Sequence, residues 1–479
     1  MSAAIDSRAS RLAVPSLLFI ALVVAAVGSL GAPLITSVAT TFGVSLAAAQ
    51  WTLTVALFSG AIATPVLARL GTGSRRRPTV LATLAVVLAG SLLTVLPLPF
   101  AWLLIGRGAQ GLGLALTALM MGVARDHLGE VAAAGTIALL SVTSTIGVGV
   151  GYPLAGLLTD LGGVRAAYGL GVAVSALALV AAWRYLPDPP TARAAPMDVL
   201  GALLLTGGLF PLLFVVSETG LWARHRYVAV ALSVLAVVLL AVWAAYERRR
   251  PSPLVDVRLL RHRAVAGANL AMLVGGTGMY LLVTLITRYA QTPRRAGYGF
   301  ALSTFEAGLV LVPFSAMGFL AGRLVSRQRA RLGADRLLAA SAGVVLIGFV
   351  IFALARADLV GVLLAMAVLG YGVGSFSAAM PAVILAVTPV RETSSAMSFN
   401  GVVRSVGFSL GSALGGLILA ASTGAGRAFP GEHGYTLAAW IGVGAMALAA
   451  GISLLVGGER RARPAPAPPD EPAVSPGPS

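Results

Sequence analysis

Apolar residues run in long blocks along this chain, separated by short segments that carry arginine. A helix rises about 1.5 Å per residue, so about 20 apolar residues cross a bilayer core of about 30 Å. Fourteen blocks meet that requirement, at 12–36, 49–70, 79–97, 99–123, 134–159, 165–186, 198–217, 227–246, 264–289, 302–325, 336–355, 359–388, 395–421 and 435–456. The first is too long for the core of a signal peptide, and thirteen others follow it, so it is read as a retained helix. The pattern predicts an all-α membrane protein of fourteen transmembrane helices.

Composition agrees. Of 479 residues, 58% are apolar and 11% charged, against about 25% charged in a soluble domain. Hydrocarbon as solvent accounts for the deficit. The chain has no cysteine and four histidines, which excludes disulfides, thiol catalysis and cysteine-ligated metals and argues against a histidine site. No nucleophile–base constellation is evident, so neither an enzyme nor a cofactor is expected.

The net charge is +17, and all 34 basic residues are arginine. Such charge serves either nucleic-acid binding or membrane topology, and its placement decides. With a cytoplasmic N-terminus, and with arginines at span ends counted with the adjoining loop, 24 fall in inside segments and 8 in outside loops, which leaves Arg107 and Arg404 well inside spans. This is the positive-inside bias. It sets nucleic acid aside and predicts a protein of the cell (inner or plasma) membrane with both termini cytoplasmic. Arg288, Arg294 and Arg295, which would face outward, run against the trend. The Pro- and Ala-rich segment 457–479 cannot form a packed core and reads as a disordered cytoplasmic tail.

The chain also repeats itself. Ala68-Arg-Leu-Gly71 and the basic run after it match Gly322-Arg-Leu-Val325 and its own basic run, 254 positions later. Gly111-Leu-Gly113 matches Gly372-Val-Gly374 at 261 positions, and Gly151–Gly156 matches Gly411–Gly416 at 260. Order and spacing agree, which predicts a six-helix bundle over 12–186, an inserted helix pair over 198–246 and a second six-helix bundle over 264–456. Chance recurrence of small residues at close helix contacts is the plainer alternative. Two such halves around a midplane cavity allow alternating access.

Several stretches carry chemistry. Gly71, Thr72, Arg75, Arg76 and Arg77 form a glycine turn with a basic cluster after span 2. Such a turn either biases one conformation, by binding helix C-termini or lipid phosphate, or simply anchors the loop inside. Span 4 holds Arg107-Gly-Ala-Gln110-Gly111, and an arginine within a span generally has a partner or a function. Arg107 either works in transport or pairs structurally with a neighbouring carbonyl. Span 5 holds Gly147-Val-Gly-Val-Gly151-Tyr152-Pro153, where glycines permit close approach and Pro153 removes a backbone hydrogen bond. Asp198-Val-Leu-Gly201 opens span 7, and Pro253-Leu-Val-Asp256 precedes span 9.

In these stretches together, over nearly its whole length, the chain resembles the major facilitator superfamily, and within it the fourteen-spanner drug/proton antiporter family. The resemblance implies a major facilitator fold and a secondary transporter. It implies proton coupling through Arg107 with Gln110 and Gly111, and export through the span 5 motif of Gly147, Gly151 and Pro153. It also makes 71–77 the signature loop, although the family's acidic residue there is replaced by Thr72. Arg404 matches an arginine seen in the family.

The family's first span usually carries an aspartate, yet Val27–Leu34 has none, and no span has a carboxylate near its centre. Glu306, at the start of span 10, is the remaining titratable candidate, unless it only suits the helix dipole there. Arginines with few acids favour neutral or anionic apolar compounds. Met120, Met121, Tyr152, Met279, Tyr280, Phe314, Phe376 and Asn400 are the expected cavity residues, since Met and aromatic surfaces accept varied ligands. The expected function is export of small amphipathic molecules by a monomer, in contact with membrane lipids and with protons as candidate coupling ion. The alternatives are a facilitator or importer of a polar metabolite, or a lipid-handling or non-transporting membrane protein.

Overall fold

The computed structural model describes residues 2–31, 34–44, 46–188, 196–251, 253–386, 388–389, 392–424 and 429–461. Among these residues the protein is all-helical. The helices are α1 (Ser2–Ser29), α2 (Ile35–Phe42), α3 (Leu46–Leu70), α4 (Arg76–Val95), α5 (Phe100–Gly111), α6 (Leu116–His127), α7 (Glu130–Tyr185), α8 (Val199–Ser217) and α9 (Thr219–Arg224). They continue with α10 (Arg226–Glu247), α11 (Arg263–Gln291), α12 (Thr304–Val310), α13 (Val312–Leu332), α14 (Ala334–Ala355), α15 (Leu359–Leu385), α16 (Thr393–Ala421) and α17 (Glu432–Arg461). Residues 457–461, expected in the tail, continue α17, and the tail from 462 onward lies outside the described residues.

Among the described residues, twelve helices are long and apolar enough to cross a membrane, two fewer than expected. Val14–Gly28 and Glu130–Thr143 are shorter apolar helices. One of the two missing is the first span, represented by Val14–Gly28, and the other lies in α7, which runs 56 residues. At about 1.5 Å per residue that is nearly three bilayer cores of helix. The run is broken at Gly162 and Gly163, whose backbone leaves the helical region, Gly163 at φ 72°. Glycine takes that left-handed conformation without the Cβ clash other residues meet.

Local chemistry sets several starts. Asp198 precedes α8 and accepts from Gly201 N at 2.9 Å. Ser303 and Glu306 form a reciprocal capping box at the start of α12, with Ser303 N donating to Glu306 Oε2 at 2.8 Å. Hydrocarbon as solvent explains α10. Its best window has mean hydropathy 2.8, yet only 17% of that window is buried. In water such a surface would collapse inward, whereas in lipid it is the stable outer face. On the other side of the pair, Phe214 of α8 packs on Trp51 of α3 at 5.5 Å and Phe210 on Phe58 at 6.0 Å between rings.

Small residues bring the helices into contact. A methyl group on Gly111 would strike the carbonyl of Ala56, and one on Gly370 the carbonyl of Phe314. A methyl on Gly113 would meet Val87, and one on Gly372 would meet Val345. The second contact of each kind repeats the first at 259 positions for the glycine and 258 for its partner. The register therefore pairs Gly111 with Gly370, two residues away from the sequence match with Gly372.

Candidate functional site

A cavity of about 190 Å³ lies between the early and late parts of the chain. Its wall takes Ala25, Leu57, Thr64, Met121 and Tyr152 from one side, and Met272, Tyr280, Asn400, Arg404 and Phe408 from the other. Of the expected cavity residues, Met121, Tyr152, Tyr280 and Asn400 line it. Met120, Met279, Phe314 and Phe376 do not, because all four are buried in helix packing. Phe376, for example, fills the space left by Gly275, where its ring would lie 3.2 Å from an added Cβ. Met272, Thr64 and Phe408 went unseen in the sequence because their facing depends on helix rotation, which an evenly apolar helix does not disclose.

Among the described wall residues there is no carboxylate, and Arg404 is the charged one. Asn400, Arg404 and Phe408 follow at intervals of four on α16, so they share a face. Asn400 Nδ2 donates to Asn269 Oδ1 at 3.1 Å, and the Tyr280 ring stacks on Phe408 at 5.2 Å.

Arg107 is fully buried, but behind the wall rather than in it. Its Nη1 donates to Val27 O at 2.9 Å and to Gln110 Oε1 at 2.6 Å. Nη2 donates to Gly28 O and Nε to Thr52 O, both at 2.9 Å. Val27 and Gly28 belong to the last turn of α1, where carbonyls lack helical partners and a cation is favoured. The Tyr168 ring lies 5.9 Å from the guanidinium. Gln110 passes the chain on, its Nε2 donating to Ser91 Oγ at 3.0 Å. The carbonyl pairing is thus the one observed for Arg107, and Gln110 is its direct partner.

The glycine turn is organised by its arginines. Arg76 Nε donates to Gly71 O at 3.0 Å, and Arg76 pairs with Asp126 at the end of α6. Thr72 bonds locally, its Oγ1 donating to Arg69 O at 2.9 Å. Arg77 donates to Asp188 Oδ1 at 2.6 Å and to Trp183 O at 2.8 Å, while Arg75 is exposed. Next to Asp126, Arg125 Nη1 donates to Thr393 Oγ1 at 2.7 Å, joining α6 to the start of α16.

The glycines of span 5 are contact residues. A methyl on Gly147 would lie 2.7 Å from Ala25 Cβ of α1, and Gly151 is buried. Pro153 is met from α12 at Gly308, where an added Cβ would lie 3.0 Å from Pro153 Cα. In α16, Gly407 makes the corresponding approach to α11, where an added Cβ would lie 2.7 Å from Leu273 O. Glu306 does not reach the cavity, since its carboxylate is exposed and engaged in the α12 capping box.

Among the described residues the buried carboxylates are Asp198, which opens the segment predicted as an inserted pair, and Glu247, one residue past its end. Glu247 is 0% exposed. It accepts from Trp243 Nε1 at 3.1 Å and from Leu254 N at 2.8 Å. Asp198 accepts from Tyr246 OH at 3.2 Å and faces Arg250 at 3.7 Å. Asp198 and the buried Arg69 of α3 are its charged neighbours. Leu254 O accepts from Ser395 Oγ of α16 at 3.3 Å, so the cluster touches three segments. Sequence reading passed over Glu247 because it stands at a helix end before three arginines, where an acid reads as surface charge. Its four-residue spacing from Trp243 was the available signal.

Known proteins share this architecture. Residues 17–357 match the sequence profile of the Major Facilitator Superfamily. The chain is 27% identical to "Multidrug resistance protein Stp" of Mycobacterium tuberculosis (strain ATCC 25618 / H37Rv), over 79% of this chain and 69% of that protein. It is 32% identical to "Puromycin resistance protein pur8" of Streptomyces alboniger, over 62% of this chain and 58% of that protein. The crystal structure of the human organic anion transporter MFSD10 (TETRAN) superposes with a TM-score of 0.62 at 14% identity, over 93% of this chain and 98% of that one. At that identity the likeness is one of fold. The profile match spans most of the chain, and the protein belongs to the Major Facilitator Superfamily of small-molecule membrane transporters.

Proposed function

We propose that this protein exports small amphipathic molecules across the cell membrane by alternating access. The observation that carries the reading is the central cavity, walled jointly by residues 25–152 and 272–408 and mainly apolar with a few polar groups. A site at the seam between two helix groups can open to either side as they rock. The resistance functions named for the relatives support outward transport of drug-like molecules.

The architecture we propose is fourteen crossings, with six-helix bundles at 12–186 and 264–456, the pair 198–246 between them, and cytoplasmic termini. The repeated contacts of Gly111 with Ala56 and Gly370 with Phe314 support the duplication. The length of α7 and its break at Gly162–Gly163 support two crossings there. The arginine bias supports the orientation.

For energy coupling we propose proton antiport through Glu247 with Asp198, because the cavity wall offers no acid among its described residues. Arg69, a charged neighbour of Glu247 on α3 beside the glycine turn, gives a change of charge there a route to the helix ends. Proteoliposomes test both parts. Substrate movement should run uphill with a pH gradient and release protons on substrate addition. Transport that persists with no substrate-linked proton flux removes the antiport, and absence of any transport removes the export reading.

A further inference from the structure

Two arginines, Arg107 and Arg404, stand well inside the spans read from the sequence, and their surroundings are opposite. Arg107 spends its donors on three carbonyls and Gln110. Arg404 stands in the cavity wall, and among the described residues its guanidinium has no hydrogen bond or ion-pair partner. A guanidinium in a membrane interior without a partner is unfavourable, and such residues mark ligand or ion pathways. It keeps its charge at any working pH and presents five donors in a planar fork that fits a carboxylate or sulfonate.

The rest of the wall suits the remainder of such a ligand. The Tyr280–Phe408 pair, 5.2 Å between rings, forms an apolar platform one turn from Arg404 on α16. Met272, Met121 and Leu57 extend the apolar surface, and Asn400 stands one turn before Arg404 on the same face. No described wall residue carries a negative charge that would repel an anion or attract a cation.

We propose that the central cavity is selective for amphipathic organic anions, with Arg404 binding the anionic group and the Tyr280–Phe408 platform the apolar body. This rests on the cavity being the transport site, and it narrows the substrate class. The same wall disfavours lipophilic cations, which would meet a like charge in a low-dielectric space.

Equilibrium binding tests the proposal without reference to the direction of transport. Three dansyl probes share one fluorophore: dansylglycine is an anion, dansylamide neutral and dansylcadaverine a cation. Purified protein in phosphatidylcholine nanodiscs, with empty nanodiscs subtracted, should bind dansylglycine saturably and dansylcadaverine at least about tenfold more weakly, the span of one charge-assisted hydrogen bond. Arg404→Gln should weaken dansylglycine at least about tenfold while dansylamide changes far less. Arg404→Lys, which keeps the charge without the fork, should fall between. Equal or tighter binding of the cation, unchanged dansylglycine binding in Arg404→Gln, or no saturable dansylglycine binding to the unmodified protein overturns the proposal. Loss of all three probes in Arg404→Gln assigns the residue to structure and overturns it too. Dansylglycine and neutral dansylamide affinities that fall together as phosphatidylglycerol is added show a lipid headgroup holding the site, since surface charge alone weakens only the anion, and overturn the small-molecule assignment. If the anion binds but vesicles show no export, the export reading fails and the site stands.

Discussion

The guanidinium of Arg107 holds the carbonyl of Gly28 at 2.9 Å, and Gly28 is itself a wall residue of the central cavity. The arginine therefore stands behind the wall and fixes the end of α1 that forms part of it. Gly31 stays small for the same reason, since an added Cβ would lie 2.8 Å from Arg107 Nη2. Arg107→Met should leave several buried acceptors unpaired at about 1–3 kcal/mol each, lowering the thermal midpoint and abolishing transport. Arg107→Lys keeps the charge but not the fork and should restore folding only in part. A Lys variant with wild-type midpoint and transport rate would show that the clamp is dispensable.

Close approach through glycine predicts a contrast between positions. Gly111→Ala and Gly370→Ala each drive a methyl onto a neighbouring backbone carbonyl, and overpacking of that kind costs about 1–3 kcal/mol. Gly343→Ala, with open space around its added Cβ, should change little. Thermal unfolding in detergent checks this, and equal midpoints for the three variants would contradict the packing assigned to Gly111 and Gly370.

The Arg76–Asp126 pair predicts energetic coupling between the glycine turn and the end of α6. Alanine at either position should slow transport. A double-mutant cycle should return a coupling of about 0.5–3 kcal/mol in stability, as contacting residues do. The exchanged pair, Arg76→Asp with Asp126→Arg, should recover part of the loss. Additive single effects with no recovery would reduce the turn to a charge anchor.

Glu247→Gln keeps the side chain's shape and its acceptor for Leu254 N while removing the titrating group. The variant should bind dansylglycine normally yet lose substrate-evoked proton release from proteoliposomes. Asp198→Asn, which still caps α8, should alter coupling without unfolding that helix. An unchanged proton-to-substrate ratio in Glu247→Gln would remove this carboxylate from the coupling mechanism.

What was legible in the sequence follows from what membranes impose. Span length read out for twelve helices, because the bilayer sets a length scale. The orientation drawn from arginine placement stays a proposal. Arg107, Gln110 and the 71–77 turn were found by motif, and a charged or glycine-bound position stands out against apolar surroundings. Facing did not read out. Phe376 and Met121 both sit on apolar helices, yet one fills the gap at Gly275 and the other the cavity wall. Long-range partners were equally hidden. Asp126 meets Arg76 across fifty positions, and Glu247 is satisfied by a backbone amide seven residues on. Glu306 went the other way, since its motif was local and it proved to cap its own helix.

The most direct test of export through the central cavity uses the chain's lack of cysteine. Everted membrane vesicles containing the protein are supplied with the dansyl probes, and accumulation is followed before and after a bulky maleimide is attached at Thr117→Cys, in the cavity wall. The account predicts that the cysteine-free protein concentrates at least one probe inside the vesicles and ignores the maleimide. It predicts that the Thr117→Cys protein does the same until it is labelled and then stops. No accumulation in everted vesicles, or transport undiminished with the label in place, would contradict it.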